Sequence, residues 1–377
     1  MLKQVEKLNE RDLEPRFQGL LRGIIARVPF LKLESLKSDP VIRPQVAAKL
    51  FNAAVARPDW LLSVKAGARP WTWVAEGKRL GQPREVRAGV LQLKHYLSLL
   101  PPRTSSYGVL LAPYISEESA RICTEAGMGY ADLAGNARIS FDQVFIETHA
   151  AENPFHEKRT VKSVFSPKAT RVLRVLLRGP LRSWKVKELA LEANVSPGHV
   201  SAVRQQLLAY EWAVENADGL LVSKPDGLFN AWIAADDWDA RTTAREYALL
   251  VSDPVEIATK AHAFLSESAI PHAFTQWIAA HFRHPHTTPP VTTVYVSEFP
   301  PDDEIKDRLL ARRVDAGGRL RLVRPKDVGV LSQIQTTKRL PLVSDVQIYL
   351  DLIKAGQRGD DAAAELRRWP DFSGGWA

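Results

Sequence analysis

Cysteine is almost missing from this chain. A single thiol, Cys123, among 377 residues excludes an intrachain disulfide and every cysteine-rich zinc site, since each needs further sulfurs. Long apolar runs are also missing, and none approaches the roughly 20 residues of a membrane-spanning helix. The opening Met1-Leu2-Lys3-Gln4-Val5-Glu6-Lys7 is too charged for a secretory signal. A cytoplasmic protein with no membrane partner is therefore expected. The sequence holds no phosphate-cradling Walker loop, no dinucleotide fingerprint and no serine or cysteine nucleophile motif. Internal repeats and low-complexity tracts are lacking as well.

What is present is basic charge. Lys and Arg number 51 against 43 Asp and Glu, a formal net charge of +8. Such a surplus favours a polyanionic partner, and arginine grips phosphate through a planar fork. Apolar residues make up 45% and charged residues 25%, an ordinary globular balance. The length exceeds one core, so several domains are expected.

Periodicity divides the chain. Residues 1–50 read as an N-terminal helical segment, because Leu20, Leu21, Ile24, Ile25, Val28 and Leu31 recur at helical spacing around Pro29. Residues 51–152 alternate strand and helix. Leu61–Val64 and Trp71–Ala75 form a strand pair about a Gly67 turn. Pro83 begins a helix reaching Leu100, Gly108–Pro113 is a buried strand, and Ser116 and Gly127 bound the next helix. Further strands follow near Tyr130 and from Arg138 to Glu147. The polar run Asn153–Arg159 reads as a linker. Residues 240–377 mix helix and strand in an α+β region with a loose tail after Ser373. The fold class expected is multi-domain α/β.

Between them, residues 160–238 carry a compact pattern. Helices run from Lys168 to Arg178 and from Lys185 to Ala193. Ser196 caps a third helix that starts at Pro197 and turns Val200, Val203 and Leu207 inward. Strands at Ala213–Glu215 and Leu220–Ser223 then flank Asp218-Gly219, a favoured hairpin pair. This order is that of a winged helix-turn-helix, whose third helix enters the major groove of double-stranded DNA. Ser196, His199, Ser201, Arg204 and Gln205 are the DNA-binding candidates on that helix, with Lys185 and Lys187 against phosphate.

A second chemistry is written near the N-terminus. Asp59 opens one strand, and Glu76 and Lys78 end the next. Paired carboxylates hold a hard cation through oxygen, and a lysine beside them positions water or steadies phosphate charge. Asp59, Glu76, Lys78 and Gln82 are thus catalytic candidates, with Asp59 and Glu76 as ligands of Mg2+ or Mn2+. Gly77 between Glu76 and Lys78 is expected to loosen both side chains, since glycine weakens a strand.

Several motifs together resemble a known family. Glu76-Gly77-Lys78 with Gly81-Gln82-Pro83-Arg84, then Ala112–Ser116 and Gly129–Arg138, resemble a restriction-endonuclease-like domain of PD-(D/E)XK type. Ser166–Ala169 and Val195–Val200 resemble an attached winged helix. Val343–Leu352 with Arg358–Ala363 is similar to the C-terminal region of AbiEi-family antitoxins of type IV toxin–antitoxin systems, which are linked to phage defence. The resemblance implies a transcription regulator that represses its own operon, with a nucleotidyltransferase-like toxin as partner; a homodimer on a palindromic site is the usual arrangement of a regulator that reads DNA through a winged helix. The commonest antitoxins of that family place the winged helix first, whereas here an endonuclease-like domain precedes it. A metal-dependent DNA endonuclease is the alternative.

Overall fold

A computed structural model describes residues 10–42, 56–149, 164–179, 181–356 and 358–376. The chain folds as two compact units, Met1–Val161 and Lys162–Ala377.

The first unit runs α1 (Glu10–Ala26), β1 (Leu31–Ser38), β2 (Trp60–Ala66), β3 (Arg69–Gly77), α2 (Pro83–Ser98), β4 (Ser106–Ala112), α3 (Glu117–Glu125), β5 (Gly129–Asp132), β6 (Ala137–Phe141) and β7 (Val144–Thr148). All its strands join one sheet in chain order. Neighbours are antiparallel except β3–β4 and β4–β5, which are parallel. That exception follows from the connections, because a parallel step needs a crossover and α2 and α3 supply it. Both faces of the sheet are covered. Phe17, Leu21 and Ile24 of α1 pack with Val109 and Leu111 on one side. Val86 and Leu93 of α2 and Cys123 of α3 pack with Leu110 and Ala112 on the other. The alternation along β4 is the two-residue period of a strand buried on both faces.

The first segment corrects the expectation of helix throughout residues 1–50. The helix ends at Ala26, and Leu31–Ser38 is a strand paired antiparallel with β2. The spacing of Val28 and Leu31 mimics a helical step because a turn joins them, Leu31 N–H donating to Val28 O at 3.0 Å. Pairing with β2 then supplies the backbone hydrogen bonds that fix extended structure. The strands placed near Tyr130 and from Arg138 to Glu147 resolve into β5, β6 and β7.

The second unit begins with α4 (Pro167–Leu177), α5 (Val186–Glu192), α6 (Pro197–Ala209), the hairpin β8 (Ala213–Asn216) and β9 (Gly219–Val222), and α7 (Pro225–Ala235). It continues through α8 (Trp238–Arg241), β10 (Thr242–Leu249), α9 (Pro254–Glu267), β11 (His272–Thr275), α10 (Gln276–Arg283), β12 (Thr292–Val296) and α11 (Asp302–Leu309). It closes with β13 (Ala311–Val314), β14 (Leu320–Pro325), β15 (Gln335–Thr337), β16 (Leu340–Leu342), α12 (Asp345–Leu352) and α13 (Gly359–Arg368). A mixed sheet takes the order β13-β10-β14-β12-β11-β16-β15. One apolar cluster extends from Val172 and Leu176 of α4 to Val294 of β12 and Ile348 of α12. The tail is packed rather than loose: Phe372 is buried and the Trp376 indole N–H donates to Leu177 O at 2.9 Å. Burying those rings outweighs the freedom that small residues give the segment. Among the described residues no helix is long and apolar enough to cross a membrane.

Candidate functional site

In the first unit, sheet register gathers the charged residues. Trp60 of β2 faces Ala75 of β3, so Asp59, one step before, arrives beside the end of β3. The Gly77 amide donates to Asp59 Oδ2 at 2.8 Å. Glu76 is buried, and its Oε1 accepts from Lys78 Nζ at 3.0 Å. Lys78 Nζ also donates to Gln92 Oε1 on α2. Its stem crosses Gly89 of α2, where a Cβ would lie 2.8 Å from Lys78 Cε and 2.5 Å from Leu110 Cδ1. Glycine there opens the slot that the lysine fills.

The two carboxylates share a strained electrostatic setting. Burial pushes the Asp59 carboxyl above its ordinary range, with the Gly77 amide and Lys78 opposing. Glu76 is raised first by burial and then by the charge of Asp59, against the pull of Lys78. Glu76 Oε2 is buried without a hydrogen-bond partner. An ionised oxygen in that state lacks the compensation that buried charge requires. A hard divalent cation, which takes oxygen ligands and keeps several waters, fits Glu76 Oε2 and Asp59. Among the described residues no set of three or more His, Cys, Asp and Glu side chains forms a ligand cluster.

Gln82 stands at the head of α2, as its N-cap residue, and makes no side-chain capping bond; the side-chain amide that meets Lys78 belongs to Gln92, which the sequence reading did not single out. Gly89, Gln92 and Tyr96 fall near one face of α2 at steps of three and four residues, a signal legible in the sequence. Tyr96 faces the same charges, and its hydroxyl is raised by burial and by Glu76 and Asp59. Gly77 also has a packing role. A Cβ at that position would stand 3.2 Å from Phe17 and Trp60, both buried, so the missing side chain lets α1 close over the strand end.

In the second unit, Ser196 caps α6 by accepting from the His199 amide at 3.3 Å. Val200, Val203 and Leu207 are buried. Ser196 and Gln205 are exposed, His199, Ser201 and Arg204 are half-buried, and Lys185 and Lys187 are exposed at the start of α5. Arg204 forms an ion pair with Glu215 of β8. The hairpin is fixed to the chain before α5: Trp184 and Leu220 exchange backbone hydrogen bonds of 2.8 and 2.9 Å. Gly219, at φ +130°, permits that approach, since a Cβ there would meet Trp184 O at 2.3 Å.

No protein-family model, curated protein or solved structure matches the chain.

Proposed function

We propose that this protein is a DNA-binding transcription regulator of the antitoxin type, reading duplex DNA with α4, α5, α6 and the β8–β9 hairpin as a winged helix-turn-helix. The observation that carries the reading is the division of α6. Its capped N-terminus and its exposed Gln205 lie apart from the buried stripe of Val200, Val203 and Leu207, and a hairpin follows at once. A helix with one face locked in a core and its N-terminal turns free suits insertion into a major groove. The amide end of α6 and the ammonium groups of Lys185 and Lys187 suit phosphate. The test is a binding titration of the full chain on DNA from upstream of its own gene and on random DNA of equal length. Replacing both Arg204 and Gln205 by alanine is expected to weaken the first by about 1–3 kcal/mol per base contact and the second far less. Equal losses on both DNAs would sink the reading.

The unpartnered Glu76 Oε2 favours a second reading, a metal-dependent DNA nuclease on a restriction-endonuclease-like first unit. Asp59 and Glu76 would hold Mg2+ or Mn2+, which supplies Lewis acidity toward a phosphodiester. Lys78, oriented by Glu76 and Gln92, would position the attacking water. Nicking of plasmid DNA that needs magnesium and disappears in Lys78→Ala supports it. Equal activity in wild type and Glu76→Ala preparations removes it.

A further inference from the structure

The second unit contains a cleft of about 280 Å³ between α4, α7, the α7–α8 link, β12 and α12. Arg174 of α4 lines it and is only 6% exposed. Its Nε donates to Gln347 Oε1 at 2.9 Å and its Nη1 to Thr170 Oγ1 at 3.3 Å. Both partners are neutral, and a guanidinium has more N–H donors than these bonds use. Among the described residues no carboxylate forms an ion pair with Arg174.

The acids around the cleft are engaged elsewhere. Asp236 and Asp351 both hold Arg241. Asp327 holds Arg171. Asp237 Oδ1 accepts from the Ala240 amide at 2.9 Å. Arg241 therefore has its countercharge and Arg174 does not. Burial and the neighbouring Arg241 pull Arg174 down to about 10, against the opposing influence of Tyr295, Asp327 and Asp351; the group is still cationic at neutral pH. Buried charge is ordinarily paired. Lys326, exposed at the same cleft, adds a second cation. Much of the remaining wall is apolar, including Phe165, Trp232 and Val330.

We infer that this cleft binds a small organic carboxylate carried on an apolar body, its carboxylate on Arg174 and its body against Trp232 and Phe165. Such a site matches how ligand pockets combine an apolar lining with a few fixed polar groups. The cleft includes residues of α4, the first helix of the proposed DNA-binding module. The inference nonetheless stands apart from the DNA-binding reading, because it concerns ligand binding alone.

Calorimetric titration of the full-length protein with phenylacetate, its neutral analogue phenylacetamide and inorganic phosphate tests it. Saturable binding of phenylacetate, at least about tenfold tighter than phenylacetamide, is expected, since hydrogen bonds to charged groups are the stronger ones. Arg174→Met should abolish it while the variant still folds, because an unpaired buried charge is replaced by a chain of similar volume. Lys326→Met, at an exposed position that folding tolerates, should weaken phenylacetate about two- to fivefold and leave phenylacetamide unchanged. If Arg174→Met does not fold, the Lys326→Met comparison decides. Absence of saturable phenylacetate binding overturns the inference, as does unchanged affinity in a folded Arg174→Met protein. Phosphate binding as tightly as phenylacetate overturns the part played by the apolar wall.

Discussion

The Gly77 amide donates to Asp59 Oδ2 across 2.8 Å, so the backbone between Glu76 and Lys78 itself holds the second carboxylate in place. Two carboxylates and an ammonium group are thereby gathered at one strand end. The glycine serves two needs at once, since its missing side chain also admits Phe17 and Trp60.

Gly77→Val is expected to destabilise the first unit by about 1–3 kcal/mol, the usual cost of inserting methyl groups into a filled core. Urea unfolding of wild type and variant measures it. An unchanged midpoint would show that Phe17 and Trp60 can move aside at no cost.

Glu76 makes stability depend on pH in a definite sense. Its folded carboxyl lies above the ordinary 4.5, so above that pH the native state binds more protons than the unfolded chain. Stability is then lost as pH rises through the folded value. Glu76→Gln removes this loss, and its midpoint advantage over wild type should grow as pH is raised from 4 toward neutrality, followed by chemical denaturation at each pH. A constant difference would contradict the assignment.

Magnesium should act on the same site in the opposite direction. Cation ligands must be ionised, so added Mg2+ should raise the melting temperature more at high pH than at low pH. The stabilisation approaches about 2.7 kcal/mol when free cation is about 100 times its dissociation constant. Asp59→Asn should diminish it, as read by thermal melts. An identical shift in wild type and Asp59→Asn would place the cation elsewhere.

Arg204 and Glu215 set up a competition in the second unit, because the guanidinium cannot meet DNA fully while it is paired. Glu215→Gln should tighten DNA binding about two- to fivefold at low salt, the scale of a surface ion pair. Fluorescence anisotropy would measure it. Weaker binding would mean that Glu215 holds Arg204 in its DNA-facing position.

Asp351 is wholly buried and relies on Arg241, whose guanidinium also binds Asp236 and the Tyr295 hydroxyl. Arg241→Met should cost about 3–5 kcal/mol by leaving that carboxylate without a countercharge. Adding Asp351→Asn should recover part of the loss in the same unfolding assay. No recovery would indicate that the arginine acts through packing.

Much of the local order was legible in the residues. Pro83, Ser116 and Gly127 marked the bounds of α2 and α3, and Ser196 with Pro197 marked the start of α6, because caps and turn residues act through their own backbone. The stripe Val200, Val203 and Leu207 followed from helical period alone. Asp59, Glu76 and Lys78 were visible as residue types placed at strand ends. The extended form of Leu31–Ser38 was not, since its spacing also suited a helix and only pairing with β2 distinguished the two. Nor was the role of Gly77, which depends on Phe17 crossing from α1. The contact of Gln92 with Lys78 was not legible either, because the sheet sets which turn of α2 lies over Lys78. Arg174 shows the same limit. Sequence gives it an apolar stretch of helix, but its lack of a countercharge exists only once Arg241 has claimed Asp236 and Asp351 and Arg171 has claimed Asp327. Local propensity acts over a few residues, whereas burial, register and the division of charges among partners arise only when distant segments meet.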